Sequence, residues 1–65
     1  MKAADIDAAV LEALERRGDW ARLGDVVDMT SALSYAEVAV ALARLERAGE
    51  VERHANGGQY RVRGV

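Results

Sequence analysis

The sequence predicts an α+β domain in which three helices are followed by a β-hairpin. Up to residue 48 the apolar residues recur at intervals of three and four, which is the spacing of one helix face. After Gly49 the interval changes to two, and an Asn-Gly-Gly turn divides the alternating segment. We therefore expect helices near residues 6–17, 22–29 and 35–48, followed by a hairpin across residues 51–62.

The first predicted helix carries an apolar stripe made of Ile6, Val10, Ala13 and Leu14. Asp5 is a candidate N-cap, because a carboxylate can accept hydrogen bonds from the unpaired N–H groups at a helix start. Gly18 follows the last helical residue, where glycine adopts the left-handed backbone that ends many helices. We expect Asp5 and Gly18 to bound this helix.

The segment after Gly18 is less regular. Asp19–Ala21 is too short for a helix, and we expect it to form a connector or a minimal strand with Trp20 turned inward. The second helix should follow over residues 22–29, although Gly24 weakens it and no good N-cap precedes it. Its expected buried residues are Leu23, Val26 and Val27.

The start of the third helix is the most strongly specified local feature. Ser34 and Glu37 have the spacing of a capping box, in which each side chain accepts a hydrogen bond from the other residue's backbone N–H. Leu33 and Val38 have the spacing of a hydrophobic staple across the same turn. We expect this helix to begin at Ser34 and to stop at Gly49, a C-terminal glycine.

The C-terminal segment has the pattern of two strands joined by a tight turn. Asn56-Gly57-Gly58 supplies residues that tolerate positive φ. The alternation predicts that Val51, Tyr60 and Val62 pack on the helices and that the other flank is solvated. Arg53 shares the parity of Val51, so it lies either over the edge of the core or on the solvated flank.

Three helices, a short strand after the first and a hairpin after the third give the element order of the winged helix-turn-helix fold. The segment SYAEVAVALARLERAGEVERHANGGQYRV resembles the end of many bacterial winged helix domains. Its S-x-x-E-V start, L-E-x-A-G-x-V-E-R passage and G-G-x-Y turn are most similar to the small C-terminal winged helix of DNA-processing proteins of the DprA type. The resemblance covers Ser34 to Val62 and implies the fold more strongly than a role.

Cations are concentrated in the C-terminal third. Residues 44–65 carry five arginines against three glutamates, although the chain has a net charge of −2. In DNA-binding winged helices the third helix enters the major groove, and Arg and Lys contact phosphates. With double-stranded DNA as the ligand, the candidate contacts are Arg22, Tyr35, Arg44, Arg47, Arg53, His54, Arg61 and Arg63. Arginines on a hairpin are equally typical of a solvated surface.

The outward face of the third helix supports an alternative function. It carries an apolar strip predicted to consist of Ala36, Ala39, Val40 and Ala43. These side chains make no hydrogen bond to a base, which counts against sequence-specific reading of DNA. Exposed apolar strips also mark protein contacts, so the alternative prediction is that this face docks a partner protein or a second copy of the chain as a homodimer.

Other classes of function find little support in the sequence. One His and no Cys provide no nucleophile and base set and no convincing metal site, so we expect no enzyme activity and no cofactor. No apolar run reaches the length of a membrane span, and the acidic N-terminal stretch is unlike a secretory signal. We expect a cytoplasmic protein with a single domain over residues 1–65.

Overall fold

A computed structural model of the chain describes residues 2–64 and confirms the predicted α+β domain. Its helices are α1 (Ala3–Arg17), α2 (Leu23–Thr30) and α3 (Tyr35–Arg47). Its strands are β1 (Ala21–Arg22), β2 (Val51–Arg53) and β3 (Gln59–Val62). The topology is consistent with a winged helix, in which β2 and β3 form the wing hairpin.

Helix α1 begins earlier than the sequence predicts. Lys2 occupies the N-cap position, so the prediction that Asp5 caps the helix is wrong. Ala3 and Ala4 are strong helix formers and extend the helix toward the N-terminus, which leaves Asp5 in the first turn. The C-terminal prediction is confirmed, because Gly18 has a φ of 70° and its N–H donates to the Leu14 carbonyl at 3.0 Å.

Helix α2 begins at Leu23 and has a cap that the sequence analysis did not identify. The carboxylate of Asp25 accepts a hydrogen bond from the backbone N–H of Arg22 at 3.1 Å. At the other end the helix reaches Thr30, whose hydroxyl donates to the Val26 carbonyl at 2.9 Å. Val26 is fully buried, and the other two predicted core positions of α2 are partly buried against the core.

The predicted start of α3 is confirmed in detail. The Ser34 hydroxyl accepts the Glu37 N–H at 3.1 Å, and the Glu37 carboxylate accepts the Ser34 N–H at 2.9 Å. The hydrogen bond from the Ser34 backbone lowers the pKa of the Glu37 carboxyl group, because it favours the charged form. Leu33 and Val38 are both buried beside this turn, as a hydrophobic staple requires.

The connector after α1 forms a third strand, so the hairpin is part of a three-stranded antiparallel sheet with the order β1-β3-β2. Ala21 of β1 pairs with Tyr60 of β3, and Val51 of β2 pairs with Val62. Gly57 and Gly58 have φ values of 76° and 78° at the hairpin turn, a conformation that a side chain would strain.

The core lies between the three helices and the inner face of the sheet. The sheet contributes Ala21 and Val51, which are buried, and Tyr60 and Val62, which pack against them. The prediction that Trp20 turns inward is wrong. Trp20 alternates with the buried Ala21, so its side chain lies on the opposite face of the sheet, where it is half-buried.

Within residues 2–64 no single helix is long and apolar enough to cross a membrane. Helices α2 and α3 reach that length and composition only as a pair bent by 113°. Both helices contribute side chains to the core, among them Val26, Val38 and Leu42.

Replacing Ser34 with alanine should destabilise the domain by about 1 kcal/mol, the usual cost of losing an N-cap side chain. The free energy of unfolding from urea titration followed by circular dichroism measures this change. Ser31→Ala is the control and should have a much smaller effect, because Ser31 is exposed at the end of α2 and its hydroxyl makes no hydrogen bond within residues 2–64. An unchanged free energy of unfolding in Ser34→Ala would contradict the role of the capping box.

Candidate nucleic-acid interface

The exposed residues of α3 form one surface, which we call the α3 face: Tyr35, Ala36, Val40, Ala43 and Arg47. The exposed fractions of Tyr35 and Val40 are 64% and 53%. The predicted outward orientation of Ala36, Val40 and Ala43 is therefore confirmed, whereas Ala39 is half-buried. The α3 face contains no carboxylate and one cation, Arg47.

Arg44, which the sequence predicts as a DNA contact, does not belong to the α3 face. Its guanidinium binds the carboxylate of Asp7 on α1 in a bidentate manner, with Nη2 to Oδ1 at 2.7 Å and Nε to Oδ2 at 3.0 Å. This hydrogen bonding raises the pKa of Arg44 above its ordinary value. Arg44 therefore connects α1 to α3, and its charge is already balanced.

Two further arginines of the C-terminal third are paired with glutamates. Arg53 Nε lies 3.4 Å from Glu46 Oε2, and Arg61 Nε lies 2.5 Å from Glu52 Oε1. In the strand register Arg53 is opposite Tyr60, so its side chain lies on the core side of the sheet. Of the two predicted positions for Arg53, the edge of the core is therefore the one observed. These pairs reduce the positive charge available to a phosphate.

Three cations on or beside the α3 face have no carboxylate partner within residues 2–64. Arg47 lies on the face itself. Arg22 lines a cleft together with Tyr35. Lys2, which the sequence analysis did not select, directly precedes Ala3, and Ala3 lines a groove with Val40. The sequence signal for Lys2 is a lone cation at the start of α1, but only the fold brings it near α3.

The remaining predicted contacts lie on a different surface, the solvent side of the sheet. His54 is in edge contact with Trp20, with ring centroids 4.9 Å apart, and its Nδ1 accepts the Asn56 N–H at 3.1 Å. Arg61 packs over Trp20, and Arg63 lies beside Gly49 at the base of the hairpin. The structure thus divides the predicted site residues between two surfaces instead of bringing them together.

An open groove of about 390 Å³ separates the start of α1 from α3. Ala3, Ile6, Ala36 and Val40 provide its apolar lining, and Glu37 and Arg44 lie at its margin. No sequence pattern indicates this groove, because its two walls come from helices that are distant in the chain.

Comparison with known proteins finds no matching family model, curated protein or solved structure. The resemblance of residues 34–62 to the C-terminal winged helix of DprA-type proteins therefore stays a prediction. The function has to be inferred from the α3 face, the groove and the solvent side of the sheet.

Replacing Arg44 with glutamine should lower the melting temperature but change DNA affinity by less than about twofold, because the guanidinium is bound to Asp7 and its charge is already balanced. Asp7→Asn should lower the melting temperature by a similar amount. Because both substitutions break the same ion pair, the double variant should lose no more stability than the two single losses added together. Calorimetry and DNA titration measure both quantities. A large loss of DNA affinity in a folded Arg44→Gln protein would contradict this structural role.

Proposed function

We propose that the protein is a winged helix module that binds duplex DNA through the α3 face, weakly and with little sequence preference. The observation that carries this proposal is the charge of that face. It contains no carboxylate, it carries Arg47, and Lys2 and Arg22 lie at its border; none of these three cations has a carboxylate partner within residues 2–64, although the whole chain has a net charge of −2. A helix face with one cation and no carboxylate of its own, with two further cations at its border, suits the phosphate-lined groove of DNA. The carboxylate at its margin, Glu37, is hydrogen-bonded to the Ser34 N–H.

The same charges imply weak binding. Phosphate contacts by Lys and Arg supply most of the affinity of a protein for DNA of arbitrary sequence. Arg44, Arg53 and Arg61 are held by carboxylates, so few cations remain for phosphate. The carboxylate of Asp25 lies in the cleft beside Arg22, where it also approaches Arg17 at 3.8 Å, and it weakens the field at that end.

Low sequence preference follows from the side chains of the α3 face. Reading a base edge in the major groove requires hydrogen-bond donors or acceptors. Ala36, Val40 and Ala43 have none, and they offer only apolar contact to a thymine methyl group. Arg47 can donate to guanine, but it lies in the last turn of the helix. Tyr35, at the first turn, has one hydroxyl.

The affinity for random duplex DNA should depend only moderately on salt. With Lys2, Arg22 and Arg47 as the phosphate contacts, log Kobs should fall against log salt concentration with a slope of about −3, because each neutralised phosphate contributes about 0.9. Fluorescence anisotropy of a labelled duplex at several salt concentrations measures the slope. Lys2→Gln should reduce its magnitude by about 1, whereas Arg44→Gln should leave it unchanged. Absence of duplex binding at low salt would refute the proposal.

The groove between α1 and α3 favours a second candidate, docking of a protein. Its apolar lining from Ala3, Ile6, Ala36 and Val40 could receive an apolar side chain of a second copy of this chain or of another protein. In that case the charge of the α3 face would be incidental, and burial of Val40 would supply the affinity.

Opposite charges at Val40 distinguish the two candidates. Val40→Lys should tighten duplex binding several-fold, and Val40→Glu should weaken it by about tenfold or more, because the new charge faces phosphates. Both variants should fold, since substitutions at an exposed site change stability by about 0.5 kcal/mol or less. Binding is measured by anisotropy, and self-association by sedimentation.

Ala8→Lys and Ala8→Glu provide the matched controls for this comparison. Ala8 is exposed, and helical geometry places it opposite the buried residues of α1, so its charge should change duplex binding by less than about twofold. Equal losses of self-association in Val40→Lys and Val40→Glu, without an effect on DNA, would favour protein docking.

A further inference from the structure

The solvent side of the sheet carries a second set of side chains, which we call the outer sheet face: Trp20, Arg22, Glu52, His54, Gln59 and Arg61. The strand register brings them together in two rows. Arg61 is opposite Glu52, and Trp20 directly precedes the Ala21–Tyr60 pair, which places it beside Arg61. In the next row Arg22 is opposite Gln59, and the Gln59 carbonyl accepts the His54 N–H at 2.8 Å.

The guanidinium of Arg61 is held in a defined position on this face. Its Cζ lies 4.3 Å from the centroid of the Trp20 ring, and its Nε contacts the Glu52 carboxylate. The Arg61 side chain nevertheless remains 37% exposed. A guanidinium that packs on an aromatic ring and stays partly exposed offers a planar group on which a nucleic-acid base can stack.

An open cleft of about 490 Å³ adjoins this stacking surface at the hairpin turn. The cleft is lined by Arg22, His54, Asn56 and Gln59, together with the two turn glycines. Arg22 has no carboxylate partner within residues 2–64, so its guanidinium can receive a phosphate. The two amides can hydrogen-bond to base edges or to a sugar.

We propose that the outer sheet face binds an unpaired nucleotide of a single-stranded nucleic acid, with the base on Arg61 and a phosphate at Arg22. Among the residues of the outer sheet face, two arginines, Arg22 and Arg61, stand against one carboxylate, Glu52, and this charge suits a polyanion. The Glu52 carboxylate is bound by Arg61.

An unpaired strand fits this face better than a duplex. The bases of a duplex are stacked on one another and offer no free ring face, whereas the bases of a single strand can turn outward and stack on planar side chains. Stacking on Arg61 would tolerate many sequences, since every base has such a ring face. The proposal does not rest on duplex binding by the α3 face. The two surfaces are separate and share only Arg22, which lies at the border of the α3 face.

Trp20 is the only tryptophan, so its fluorescence reports directly on this site. Short oligothymidylate and oligouridylate should quench the fluorescence in a saturable manner, and their relative affinities distinguish DNA from RNA as the preferred strand. Inorganic phosphate at the same concentration of phosphate groups should not displace them. Absence of saturable quenching by both strands, or displacement by phosphate alone, would overturn the proposal.

Variants of Arg61 and Trp20 separate stacking from charge. Arg61→Lys keeps the charge but loses the planar group, and it should lower the affinity for oligothymidylate by about tenfold, as should Trp20→Leu. Affinities are measured by anisotropy of the labelled strand, and folding is checked by circular dichroism. If Trp20→Leu does not fold, the affinity of Arg61→Lys for oligothymidylate alone tests the proposal.

Two control variants complete the experiment. Arg16→Lys changes an exposed arginine of α1, and Val40→Glu changes the α3 face; each should alter the affinity for oligothymidylate by less than about twofold. An Arg61→Lys protein that binds the strand as tightly as the parent would overturn the proposal, because binding would then depend on charge alone. If the parent protein binds oligothymidylate but no duplex DNA, only the proposed function of the α3 face is refuted.

Discussion

The pairing of β1 with β3 is the contact on which both candidate surfaces depend. β1 has only two residues, yet its register decides the direction of three side chains. Ala21 enters the core, while Trp20 and Arg22 lie on the opposite face because side chains alternate along a strand. Arg22 consequently lines both the cleft of the outer sheet face and the cleft beside Tyr35.

This short strand also requires an abrupt change of backbone conformation. Arg22 is the last residue of β1, and Leu23 is the first residue of α2. The Asp25 carboxylate accepts the Arg22 N–H and so replaces the partner that a helix start otherwise lacks. A single carboxylate therefore allows the chain to pass from the sheet into α2 without a loop.

The distribution of arginine partners determines where the protein can meet a polyanion. Surface ion pairs contribute little to stability, but each one removes a cation from the set that is available to phosphates. Arg44 is used between α1 and α3, Arg53 at the sheet edge and Arg61 on Trp20. The proposed duplex surface is therefore defined by the cations on and beside the α3 face that have no partner in the described part of the chain, and not by the arginine-rich C-terminal third as a whole.

Local features of this protein were determined by the sequence alone. The capping box at Ser34, the end of α1 at Gly18 and the hairpin turn depend on residues within a few positions of one another, whose backbone hydrogen bonds and φ angles follow from their identity. The change of apolar spacing after Gly49 likewise predicted the transition from helices to strands.

Only tertiary structure decided which charges and rings meet. Asp7 and Arg44 are 37 positions apart, and the side of the sheet on which Trp20 lies depends on a strand register. Such contacts depend on distances in space, and many pairings of the same residues satisfy the sequence pattern equally well. The folded backbone selects one of them.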